Sequence, residues 1–163
     1  MEPSGCCPGA LHRKSRWRGH GDTISVLRDG RSVRVRLEGI DCPEKGQDFS
    51  AQAKQFTSDL TFGKEVTVDV PNVDRYGRLV ARISVGGQDV SVALVRAGLA
   101  WHFTKYSSDP VLAEAEQVAR SAKRALWGQG IPTPPWEFRR RSSAKQRSTS
   151  IVSAQIVTVR IPL

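Results

Sequence analysis

The chain has 163 residues, 39% of them hydrophobic, which is length and apolar content enough for one domain with a real core. Its formal charge of +9 lies on the two ends: residues 1–20 carry a net +3 and residues 131–163 a net +5, while residues 21–130 set fifteen Lys/Arg against fourteen Asp/Glu, so the basicity fits solvated tails and says little about chemistry. Cys6, Cys7 and Cys42 form no CxxC pair, His12, His20 and His102 have no ligand spacing, no apolar run reaches a membrane span, and the N-terminus lacks the apolar core of a signal peptide, which argues against zinc, a disulfide framework, a spanning helix and an export signal.

Residues 1–19 are basic, with little apolar alternation. Residues 23–27 and 32–37 alternate on either side of Asp29-Gly30, a strong hairpin signal. A two-residue turn sets Arg28 opposite Arg31, so Val26 pairs with Val33 and Ile24 with Val35 on one face, and Thr23 with Arg36 on the other. Phe49, Ala53, Phe56 and Leu60 recur at helical spacing, with Ser50 as the expected cap and Gly63 as the stop. Val66, Val68 and Val70 follow at period two, then a polar loop over residues 74–78, a strand over 79–84 and a Gly86-Gly87 turn. Residues 90–99 read as a buried helix ending near Gly98. A further helix opens with Asp109 as cap and Pro110 in its first turn, and presents Leu112, Ala115, Ala119, Ala122 and Leu126 on one face. Residues 131–136 hold three prolines and are expected to leave the domain as an extended, partly polyproline strap. Residues 137–147 are expected to be a mobile basic segment. Residues 151–163 are apolar and β-branched, with a single charge at Arg160, and would be prone to aggregate if exposed.

Three clusters place charge beside turns: Gly21-Asp22-Thr23, the run from Arg36 to Glu44, and Asp74-Arg75-Tyr76-Gly77-Arg78. Asp22 precedes the first hairpin strand and Asp41 follows the second, so antiparallel pairing brings both carboxylates to one end. Converging carboxylates repel, and a hard cation held by carboxylates, carbonyls and water relieves the repulsion. Glu44 is then a candidate base for a water nucleophile, and Arg36 and Arg78 can share a five-coordinate phosphate. Taken singly, Asp22 is an ordinary turn residue and Arg36 or Arg78 an ordinary surface arginine; the joint occurrence carries the inference.

These clusters resemble the staphylococcal nuclease, or thermonuclease-like, family, whose motifs run DGDT, RLxGIDxPE and DRYGR. The resemblance spans about residues 20–130 and includes LVRAGLAW at 94–101 and the closing Ala125-Leu126-Trp127. It implies an α+β, mainly β fold: an OB-type five-stranded barrel flanked by three helices, with residues 1–19 as a degenerate first strand and residues 131–163 as strap, basic segment and tail. It further implies a monomeric, calcium-dependent nuclease acting on DNA or RNA and leaving 3′-phosphate ends. Asp22, Asp41 and the backbone carbonyl of Cys42 would be the calcium ligands and Glu44 the general base. Arg36 and Arg78 would bind the scissile phosphate, Arg75 and Tyr76 a neighbouring one, and Tyr106 would stack near the base. The chain departs from the family pattern at His20, where the first Asp of DGDT is expected, at Cys42 in place of a common Thr, and at Thr104 in place of a second aromatic. Two other readings follow from the same features: an OB module that binds nucleic acid or protein without cleaving, and a scaffold whose basic tails dock on an anionic polymer or membrane.

Overall fold

In the computed structural model, which describes residues 13–16, 21–28, 31–74, 76–128 and 130–153, the hairpin has the expected register. Strands β2 (Thr23–Arg28) and β3 (Arg31–Leu37) pair with Thr23 opposite Arg36, Ile24 opposite Val35, Val26 opposite Val33 and Arg28 opposite Arg31. The Asp29-Gly30 turn itself lies outside the described residues. Period-two alternation then buries Ile24, Val26, Val35 and Leu37 and turns Ser25, Arg34 and Arg36 to the outer face.

Strand β1 (Arg13–Arg16) pairs with β2 on one side and with β5 (Glu65–Val73) on the other. It lacks an apolar pattern, yet ladder pairing uses the N–H and C=O groups that every such residue carries. Strand β6 (Leu79–Val85) runs antiparallel to β5 and parallel to β3, with Val35 beside Leu79 and Leu37 beside Ala81. The order β1-β2-β3-β6-β5 therefore returns to β1 and closes a five-stranded OB-type barrel. Strand β5 runs past the Val66–Val70 alternation, and its register slips between Asp69 and Asn72. Pro71 falls in that slip, where a residue without an N–H is tolerated.

Three helices pack against the barrel. In α1 (Ser50–Thr61) the expected cap is displaced: Ser50 is the first helical residue, and Phe49 holds the N-cap position with φ 63° and no side-chain cap. The buried face of α1 includes Ala53, Thr57 and Thr61, flanked by Phe49, Phe56 and Leu60. Two-residue strand β7 (Gln88–Asp89) leads into α2 (Val90–Arg96), where the Asp89 carboxylate accepts from Val92 N–H at 3.0 Å. At its end Leu99 N–H reaches Leu94 O and Gly98 N–H reaches Val95 O, with Gly98 at φ 75°, a Schellman ending. A Cβ on Gly98 would meet the Arg124 carbonyl, so glycine serves both the turn and the approach of the closing segment.

Helix α3 (Pro110–Ser121) is capped by Asp109, which accepts from Val111 N–H at 2.9 Å. It buries Leu112, Ala115 and Ala119 but ends before Leu126, which is buried instead from a 3-10 turn over Ala125–Gly128. Arg82, on the outer face of β6, pairs with both cap aspartates, at 3.5 Å to Asp89 and in a closer contact to Asp109, which ties both helix starts to the barrel. Strands β4 (Ile40–Asp41) and β8 (Trp101–His102) form a small second sheet with Asp41 opposite Trp101.

A second unit begins at Thr133. Its helix α4 (Pro135–Ser153) replaces the expected strap and mobile segment. The prolines mark a helix start, with Pro135 in the first turn and the Pro134 carbonyl accepting from Glu137 and Phe138 N–H. The arginines, Lys145, Ala144 and Gln146 that made the segment look like solvated coil are strong helix formers. Residues 154–163, most of the apolar tail, lie outside the described residues. No described helix is long and apolar enough to cross a membrane.

Candidate active site

Asp22 and Asp41 converge on one guanidinium. Asp22 is held just before β2 by Leu37 N–H, which donates to its carbonyl at 2.8 Å. Asp41 ends β4, backed by Trp101. Arg36 projects from the outer face of β3 between them, with Nη1 at 2.7 Å from Asp22 Oδ2 and Nη2 at 3.0 Å from Asp41 Oδ1. Thr23 Oγ1 donates to the second Asp22 oxygen at 3.0 Å. The two aspartates are 3% and 0% exposed, so their charges are met by protein groups. Burial alone would lower the pKa of Arg36, but attraction to Asp22 and Asp41 outweighs it and holds the guanidinium above its ordinary value. Two carboxylates against one guanidinium leave the trio one negative charge in excess.

The neighbouring side chains keep this arrangement in place. Thr57 Oγ1 lies 2.7 Å from the Gly21 carbonyl and so ties the Asp22 turn to α1. A Cβ on Gly21 would press on Ala53 and on the Cys42 sulfur. The Cys42 thiol is raised well above its usual pKa, first by burial and then by Asp22 and Asp41, so it stays protonated and behaves as a core residue. Thr57 was missed by sequence reasoning; its one signal was a hydroxyl that lies, with that of Thr61, on the buried face of the helix.

Glu44 is partly exposed two residues beyond Cys42. Its backbone is clamped, with N–H donating to Gln47 Oε1 at 2.8 Å and C=O accepting from Gln47 N–H at 2.9 Å.

Arg78 is positioned by Asp74. One Asp74 oxygen accepts from Tyr76 N–H and Arg78 N–H, both at 2.9 Å, and the other from Arg78 Nε at 2.7 Å. Partial burial works to raise the Asp74 pKa, but the bonds from Arg78 and Tyr76 outweigh it and hold the carboxyl below the ordinary range. The loop's stabilisation is therefore present above the ordinary carboxyl pKa and lost as pH falls through the lowered one. Asp74→Ala should cost about 1–3 kcal/mol at neutral pH. The stability gap between parent and variant, measured by urea melts across pH, should close in acid; a gap that stays constant would refute the assignment.

The β3–β6 register relates the two arginines. Arg36 is beside Val80, and Arg78, two residues earlier, shares the outward parity of Val80. Tyr76 is 69% exposed with Arg78 over its ring at 5.4 Å. Tyr106, on the turn after β8, is equally exposed and meets Phe103 edge-on at 4.9 Å. Arg75 and His20 lie outside the described residues. The structure thus brings Asp22, Asp41 and Arg36 into contact, sets Arg78 on the same face through Asp74, and leaves Tyr106 on a separate turn.

Among the described residues no three His, Cys, Asp or Glu side chains cluster as a metal site. The donors at hand among the described residues are two hard carboxylates, and the Cys42 thiol beside them is protonated. That set fits a hard, oxygen-seeking cation that keeps part of its water, and not a thiophilic one.

Residues 34–129 match the family described as staphylococcal nuclease homologue. A protein of Escherichia coli O157:H7 named an uncharacterized endonuclease is 43% identical over 122 residues, covering 74% of this chain and 80% of its own. The micrococcal nuclease of Shigella flexneri is 39% identical over 133 residues, covering 75% of this chain and 76% of its own. An uncharacterized endonuclease of Haemophilus influenzae is 36% identical over 122 residues, covering 74% and 68%. With the closed barrel, the buried acidic pair and these similarities together, the chain belongs to the staphylococcal nuclease homologue family.

Proposed function

We propose that this family member is a calcium-dependent nuclease that hydrolyses phosphodiester bonds of DNA or RNA and leaves 3′-phosphate ends. The observation that carries the reading is the convergence of buried Asp22 and Asp41 on Arg36. Burying two carboxylates around one guanidinium is costly for a module that only binds, and it is apt where a cation is to be held beside a phosphate.

Asp22, Asp41 and the Cys42 carbonyl would hold calcium, which when bound supplies positive charge to the phosphate and orders water near it. Glu44 takes the proton of the attacking water, whose oxygen bonds to phosphorus as the bond to the 5′-oxygen breaks. The products are a 3′-phosphate and a 5′-hydroxyl. Arg36 and Arg78 donate to the equatorial oxygens, whose negative charge grows in the transition state. Asp74 keeps the Arg78 fork aimed. Arg75 and Tyr76 would meet the adjoining phosphate, and Tyr106 offers an exposed ring for a base. All of these groups come from one chain, so a monomer suffices.

The test is incubation of single-stranded DNA with the full chain in calcium, in magnesium and in chelator, with end-group analysis of the products. Cleavage in calcium, none in chelator, and 3′-phosphate ends are expected. Equal cleavage in chelator, or no cleavage in calcium, would overturn the reading.

A further inference from the structure

Between Cys42, whose carbonyl is a candidate metal ligand, and Glu44, the candidate base, stands one residue, Pro43. Its ring fixes φ at about −65°, and the peptide groups on either side are planar. The ψ of Pro43 is therefore the one soft torsion between the Cys42 carbonyl and the Glu44 Cα. Gln47 removes that freedom: its Oε1 accepts from Glu44 N–H at 2.8 Å and so pins the Pro43–Glu44 peptide plane. Gln47 N–H, donating to Glu44 O at 2.9 Å, pins the plane that follows. With both of its peptide planes held, Glu44 has a set direction for its Cα–Cβ bond.

The clamp closes a four-residue turn, Glu44-Lys45-Gly46-Gln47. Gly46 has φ 94°, and a Cβ there would meet nothing within 4 Å. Glycine is thus required by the backbone conformation of the third position, as in a type II turn, and not by crowding. The turn is fastened to α1, because the Gln47 carbonyl accepts from Ser50 N–H at 3.3 Å. Thr57 of the same helix holds the Gly21 carbonyl, so α1 carries the supports of Asp22 and of Glu44 alike. Glu44 and Gln47 are both half-buried. Water could take the Glu44 N–H in place of Gln47, so the side chain adds direction more than stability.

We infer that Gln47 is a positioning residue: through the Glu44 backbone it fixes where the carboxylate stands relative to the Cys42 carbonyl, and hence relative to the attacking water and the phosphate. The inference rests on the nuclease reading with Glu44 as base.

The test compares the full chain with Gln47→Leu, which keeps bulk and removes the acceptor, Gln47→Glu, which keeps an oxygen at the same reach, and Gly46→Ala, which opposes the turn. Three quantities are measured: single-turnover cleavage of saturating single-stranded DNA in calcium, affinity for that strand, and the rise in melting temperature that calcium gives without nucleic acid. Gln47→Leu should slow cleavage by about 10–100-fold, the scale of a misplacement of roughly 1 Å. Strand affinity should be unchanged, since Arg36 and Arg78 are untouched, and the calcium-induced rise should be kept, since Asp22 and Asp41 are untouched. Gly46→Ala should behave as Gln47→Leu does, and Gln47→Glu should recover most of the rate. Added to Glu44→Gln, Gln47→Leu should slow cleavage no further, because no base is left to aim.

A parental rate in Gln47→Leu, an undiminished loss in Gln47→Glu, or a loss that multiplies with that of Glu44→Gln would overturn the inference. So would a Gln47→Leu protein whose strand affinity or calcium-induced rise falls as far as its rate, since Gln47 would then be a general prop. If Glu44→Gln is slow while Gln47→Leu is not, the inference alone fails. If Glu44→Gln itself cleaves at the parental rate, the reading of Glu44 as base fails and the inference with it.

Discussion

Replacing Glu44 with Gln should lower the cleavage rate by about 10²–10⁴-fold, the usual contribution of a general base, while affinity for single-stranded DNA changes little. The amide has the shape of the carboxylate but cannot take the proton of the attacking water. The fold around it should survive, because the substitution keeps the Glu44 backbone N–H and C=O that Gln47 clamps. Phosphate binding rests on Arg36 and Arg78, which the substitution leaves in place. Single-turnover cleavage in calcium reads the chemical step, and anisotropy on the same strand reads binding. Arg78→Ala provides the contrast, since it should weaken both, the guanidinium meeting the phosphate before and during reaction. A Glu44→Gln enzyme within a few-fold of the parent would remove Glu44 from the mechanism and leave the base to be found elsewhere.

How far the fold was legible depended on the range of the interaction. The hairpin register followed from Asp29-Gly30 and period-two alternation, both local, and it was found residue for residue. Closure of the barrel was not local: Val35 meets Leu79 through a parallel pairing, and β1 joins through backbone groups that leave no trace in side-chain pattern. Only the resemblance to a family reached those features. The Ser50 cap failed because a favourable residue type was one position too far along, with Phe49 in a left-handed conformation at the true boundary. Helix α4 was missed because a run of arginines reads equally as solvated coil and as a series of good helix formers. In the site, antiparallel geometry predicted that Asp22 and Asp41 converge. It could not reveal that Arg36, expected on the phosphate, bridges the two carboxylates, nor that Asp74 organises Arg78, since both depend on side-chain direction after the strands are paired.

That bridge carries the second large effect. Arg36→Met should destabilise the protein by about 3–5 kcal/mol, the usual result of removing one partner from a buried ion pair, because Asp22 and Asp41 would face each other with no cation between them. Lysine should recover only part of the loss: one ammonium cannot place two nitrogens on two carboxylates as the fork of arginine does. Calcium should raise the melting temperature of the methionine variant more than that of the parent, since the vacated position leaves two negative charges for the ion in place of one. Cleavage should nonetheless stay low at saturating calcium, because the ion restores charge to the carboxylates but not the donor to the phosphate. Thermal melts across a calcium titration, with cleavage assayed on the same samples, separate the two roles. A methionine variant as stable as the parent would mean that the carboxylates are neutralised by other groups. A variant rescued in stability and activity alike would reduce Arg36 to a structural counterion and leave phosphate recognition to Arg78.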